Sequence, residues 1–166
     1  MDVDHPERDQ RWNAAARSET EAQRLDRNWS SLLQELRVTQ TGVQLLTGFL
    51  LTLPFQDRFA DLSSWMHGVY LATVVCSLFA TVLLVAPVGM HRLLFRRHKL
   101  LPLVSAAHRF AFFGLLLLGA ALAGVAVVVF GAVVSETAGV IAGVVTALVM
   151  LALWVAYPLW LRRLDQ

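Results

Sequence analysis

Between Glu35 and Phe59 the chain reads ELRVTQTGVQLLTGFLLTLPFQDRF, an apolar run broken by polar residues at regular intervals. Wound as a helix, Arg37, Gln40, Thr41, Gln44 and Gly48 fall on one face, because steps of three, four and seven residues return to the same side. Lipid gives a glutamine no hydrogen-bond partner, so this stripe must face protein or water. Amides and hydroxyls both donate and accept, which suits them to lining a polar path or to bonding a neighbouring helix. Arg37 sits where its guanidinium can snorkel to the inner headgroups.

Other chemistry-bearing residues lie in the segment from Gly89 to Arg109. Arg92, Arg96, Arg97, Lys99 and Arg109 give it a charge of +5 with no acid. Such a loop suits anionic lipid headgroups, at about 1 kcal/mol for each Lys or Arg near the surface. Nucleic acid is not expected as a partner, because no aromatic platform accompanies the charge. His91, His98 and His108 lack cysteine or carboxylate companions there, and the cations would repel a divalent ion. Neither a metal nor any other cofactor is expected. Ser77, Thr73 and Thr81 have no base nearby in sequence, and neither a glycine-rich phosphate loop nor a His-Glu-x-x-His motif occurs. The chain is therefore not expected to be an enzyme. Its one cysteine, Cys76, excludes an internal disulfide and reads as a small packing residue.

The elements that position these residues follow from hydropathy. A content of 57% hydrophobic residues in 166 exceeds what a soluble core requires. Four runs, Val38–Phe55, Val69–Val88, Phe110–Val134 and Ala138–Leu161, approach the ~20 residues of a membrane helix and contain no internal Asp, Glu, Lys or Arg. The expected fold is all-α, an integral membrane four-helix bundle with short interfacial amphipathic helices. Residues 1–28 are charged and too poor in apolar side chains to fold alone, leaving 29–166 as the transmembrane domain. That opening stretch lacks the short apolar core of a signal peptide, so the first helix is expected to direct insertion.

Local signals refine this outline. Leu25, Trp29, Leu32 and Leu36 form an apolar helical face, expected to lie on the membrane or to continue into the first crossing, with Ser31 and Gln34 as a capping box. Phe55, Phe59, Leu62 and Met66 repeat the pattern in the next connection, predicting a short surface helix. Ser63 or Ser64 would cap the second crossing, Trp65 and Tyr70 would sit in an aromatic belt, and Pro87 and Gly89 would end the helix. Ser135–Thr137 is too short to do anything but join two antiparallel neighbours. Gly119 with Ala123, Ala120 with Gly124, and Gly139 with Gly143 provide the small-residue spacing that lets helices approach closely.

The run ELRVTQTGVQLLTGFLLTLPFQDRF at Glu35 to Phe59, followed by APVGMHRLLFRRHK at Ala86 to Lys99, resembles a family of small four-helix bacterial membrane proteins of unknown function. The likeness covers about Glu35 to Gly114, and such sequences sometimes carry the label sodium:proton antiporter. It implies the architecture and brings no site residue with it. Proton-coupled exchange normally needs a titrating group at membrane depth, and none of the four runs has one. Glu35 lies at the inner edge, Asp57 and Asp61 lie outside, and Glu136 lies in the outer turn. The expected role is that of an interaction or accessory protein, working as a homo-oligomer or with another membrane protein. The alternative is a small oligomeric channel or secondary cation transporter whose path is lined by the first helix.

With the amino terminus inside, the inner segments hold six, five and two basic residues and the outer segments only Arg58. Basic residues resist translocation, so both termini are expected to be cytoplasmic in a bacterial inner membrane. Arg97→Cys and Glu136→Cys, each in a Cys76→Ser background, should label from opposite faces in intact cells. Labelling of both from outside would overturn this topology.

Overall fold

The computed structural model describes residues 20–94 and 100–164, with no strand among them. Helix α1 spans Glu21–Thr52, α2 Ser64–Leu94 and α3 Leu100–Val133. Helix α4, Glu136–Leu151, continues through a π-helical turn at Ala152–Ala156 into α5, Tyr157–Leu164. The chain is thus an all-α four-helix bundle. Three of its segments, Ser64–Met90, Ser105–Val133 and Glu136–Leu161, are long and apolar enough to cross a membrane.

The start of α1 lies inside the stretch that the sequence assigns to a charged tail. Thr20 Oγ1 accepts the Gln23 amide hydrogen at 3.3 Å while Gln23 Oε1 accepts that of Thr20 at 2.9 Å. This reciprocal capping box replaces the one expected at Ser31 and Gln34. Ser31 is in mid-helix, its hydroxyl 3.4 Å from Glu35 Oε1. Of the two expectations for Trp29, Leu32 and Leu36, continuation into the first crossing holds: the helix runs unbroken to Thr52, and the three join Leu84, Ala107 and Ala111 in one buried cluster. Burial of that apolar face sustains the helix through its charged first half.

The connection after α1 is two 3-10 turns, Leu53–Phe55 and Asp57–Phe59, in place of the expected surface helix. Pro54 tightens the first, and the ring of Phe59 turns inward, 4.7 Å from His67 and 4.9 Å from Tyr70 between centroids. Phe55 stays 86% exposed. Ser63 caps α2 as expected, its Oγ accepting the Met66 amide hydrogen at 3.4 Å. Trp65 points outward, but Tyr70 leaves the expected aromatic belt. It is buried, and its hydroxyl donates to the Leu50 carbonyl at 2.9 Å.

Pro87 and Gly89 do not end α2. Pro87 is fully buried within a helix that continues to Leu94. A proline inside a helix removes one backbone bond and crowds the carbonyl four residues before it, here that of Leu83. Membrane bundles tolerate this because neighbouring helices supply replacement partners. Pro158 makes the same demand on Trp154, and the π turn just before it opens the helix, with the Tyr157 amide reaching back to the Ala152 carbonyl.

Helix α3 is central and touches α1, α2 and α4. Antiparallel α2 lies against it where Leu84 meets Gly114, Thr73 meets Gly124 and Met66 meets Gly131. Helix α4 packs on another face through Gly139 and Gly143, its buried residues. A Cβ added at Gly139 would come within 2.5 Å of the Val127 carbonyl oxygen and 2.8 Å of the Gly131 nitrogen. At Gly143 it would strike the Val127 side chain and lie 3.1 Å from the Ala123 carbonyl. Ser135 Oγ starts α4 by accepting the Ala138 amide hydrogen at 3.2 Å.

Because backbone atoms oppose Gly139, even Gly139→Ala should destabilise the protein in detergent, by about 1–3 kcal/mol as in other overpacked contacts. Gly143→Leu should lower the melting temperature clearly, whereas Val144→Leu, at a position 53% exposed, should leave it nearly unchanged. Equal melting temperatures for these two variants would remove the glycine-mediated contact from the account of the fold.

Candidate functional site

The polar stripe of α1 divides between two directions. Gln40 turns into the bundle and its Nε2 donates to the Leu84 carbonyl at 2.7 Å, in the turn that Pro87 loosens. Three residues on from Gln44, Thr47 donates to the Val43 carbonyl at 2.8 Å and pairs with Ser77. Since the Thr47 proton is committed to Val43, the Ser77 hydroxyl is the donor between them. Together with Tyr70 and Leu50, these contacts fix antiparallel α1 and α2 in register. The second half of α1 therefore lies at the depth of the α2 span, although its glutamines and threonines keep it less apolar than the other three helices.

Arg37, Thr41, Gln44 and Gly48 turn the other way and are exposed. Thr41 satisfies its own hydroxyl by donating to the Arg37 carbonyl at 3.1 Å. Gln44 has no such resource: among the described residues its side chain has no hydrogen-bond partner. Its depth follows from the register. Ser77 is the central residue of the span Ser64–Met90, and Thr47 lies beside it. Gln44 is three residues away along α1, about 4.5 Å. An exposed primary amide thus lies level with the middle of the α2 span, with Leu45 and Phe49 exposed beside it.

The small residues anticipated as packing positions meet within the chain. Gly119 faces Met150 and Trp154, and Ala123 lies under Gly143, so both serve the α3–α4 contact. Gly124 does not share it and opposes Thr73 of α2. Of the basic loop, Arg92 and Arg109 are exposed, while Arg96, Arg97 and Lys99 lie outside the described residues. His98 and the side chain of His91 do too, and among the described residues no three His, Cys, Asp or Glu come together as a metal site.

The sequence reading missed a polar cleft of about 290 Å³ between the outer connection and the α3–α4 turn. Arg58, Asp61, Ser63 and Glu136 line it above Met66 and Gly131. The only signal was that both connections are short and face the same side. Its carboxylates lie at the end of the bundle. Within the spans, Glu136 stands at the very first residue and no other Asp or Glu occurs.

Comparison with known proteins finds one correspondence. The profile of a family of unknown function (DUF6328) matches residues 18–158, a wider stretch than the likeness legible at Glu35 to Gly114. No curated protein and no solved structure matches the chain.

The two glutamines should separate on substitution. Gln40→Leu should lower unfolding stability of the detergent-dispersed monomer by about 0.6–1.7 kcal/mol, the range for interhelical side-chain bonds in membranes. Gln44→Leu removes no bond within the chain and should leave that stability unchanged. Unfolding midpoints in mixed micelles would test the contrast, and equal losses would mean that Gln44 is also bonded inside the bundle.

Proposed function

The chain belongs to DUF6328, a family of unknown function, and on that premise we propose that it acts as an interaction or accessory protein of the membrane, not as an enzyme. One observation carries this reading: the polarity that remains unsatisfied at membrane depth, at Gln44, points out of the bundle. An internal path would be lined by groups facing one another across the helices. Here such groups, Gln40, Thr47, Ser77 and Tyr70, bond to each other or to backbone. The outward face is what a neighbouring membrane helix would complete. Placement in a bacterial inner membrane with both termini cytoplasmic rests on the distribution of basic residues. Arg92 and Arg109, exposed where α2 leaves the layer and α3 enters it, suit contact with anionic headgroups.

A benzophenone side chain introduced at Gln44 in native membranes should yield protein adducts on illumination. The same group at Val145 on the apolar outer face of α4 should yield lipid adducts only. Reaction of Gln44→Cys with a small membrane-impermeant thiol reagent, together with cation flux through proteoliposomes of the purified protein, would overturn the reading and make α1 the wall of a path.

A further inference from the structure

We propose that the partner at this face is a second copy of the same chain, paired in parallel across α1 with Gln44 opposite Gln44. The inference rests on the interaction reading and names its occupant. Its starting point is cost: an amide at mid-membrane without partners forfeits both its donors and its acceptor. A complete partner must offer both functions at the same depth. Another Gln44 does so, its carbonyl accepting from the first amide and its amino group donating back, the reciprocal arrangement of a two-fold interface.

Orientation follows from insertion. Copies with the same distribution of basic residues enter the membrane the same way round, so a symmetric pair is related by an axis along the membrane normal. Each residue of α1 then meets its own counterpart at its own depth. The surroundings of Gln44 permit that approach. Gly48, one turn outward, has nothing within 4 Å of where a Cβ would be, so it opposes a second backbone with no side chain. Thr41, one turn inward, has its hydroxyl folded onto its own helix. Between Thr41 and Gly48 the face carries no charge that would demand an oppositely charged partner. Arg37 lies at its inner end, where headgroups reach it.

The test is a single-cysteine scan in Cys76→Ser protein in native membranes, oxidised with copper phenanthroline. Thr41→Cys, Gln44→Cys and Gly48→Cys should each give a species near twice the 18.4 kDa of the chain. Phe49→Cys, 71% exposed but turned away from Gln44 around the helix, and Val145→Cys, 53% exposed on α4, should not. Two differently tagged copies should co-purify. Gln44→Leu should weaken their association about five- to ten-fold, the effect of one lost pair of membrane hydrogen bonds. Gln44→Asn, which keeps the amide, should lose less. If the benzophenone at Gln44 captures only a protein of different mass and no cysteine dimer forms, self-pairing is wrong while the interaction reading stands. Should no protein adduct form at Gln44 and the thiol reagent reach it, both fall.

Discussion

In the middle of a bilayer every polar atom must find its partner inside the protein, and the architecture follows from how that demand is met. Tyr70 reaches the Leu50 carbonyl, Ser77 reaches Thr47, and Gln40 reaches the carbonyl of Leu84. The threonines fold their hydroxyls onto their own helices, as at Thr73 to Val69 and Thr146 to Ala142. These bonds tie α1 to α2 at three levels. They hold the second half of α1, too polar to qualify as a membrane span by composition, level with the α2 span. Among the described residues the side chain of Gln44 finds no hydrogen-bond partner.

Around this pair, α3 works by shape. Its glycines present backbone on two sides, so Thr73 and Met66 of α2 settle over Gly124 and Gly131 while Gly139 and Gly143 of α4 settle over Val127 and Ala123. With no hydrophobic drive between helices in lipid, close approach and dispersion must hold them together. The two attachments thus differ in kind. One is specified by hydrogen-bonding groups at fixed heights, the other by complementary surfaces.

Much of this was legible in the sequence because it depends on neighbours in the chain. Three of the four apolar runs, the Ser63 cap and the tight turn at Ser135 are local signals, and the structure keeps them; Val38–Phe55 is helical to Thr52 but too polar to count as a span. What was not legible depends on distant residues. The first half of α1 persists because Trp29 and Leu32 are buried in one cluster with Ala107 and Ala111, which periodicity alone cannot distinguish from a surface helix. Tyr70 reads as a belt residue until the carbonyl of Leu50 is seen beside it. Pro87 reads as a stop until it is seen buried among neighbouring helices, in a helix that runs on to Leu94. For the stripe, the spacing gathered the right residues, but only the packing could reveal that Gln40 looks inward and Gln44 outward.

The manner in which α4 is attached bears on how the molecule would yield to force. Among the described residues no hydrogen bond links it to α3, and its own backbone bonds are complete within the helix except where Pro158 and the π turn interrupt them. Drawing it sideways into lipid would expose no orphaned donor or acceptor along the interface. Separating α1 from α2 would orphan several at once. A pull on the carboxyl terminus would therefore part matched apolar surfaces between α3 and α4 while leaving the hydrogen bonds between α1 and α2 whole.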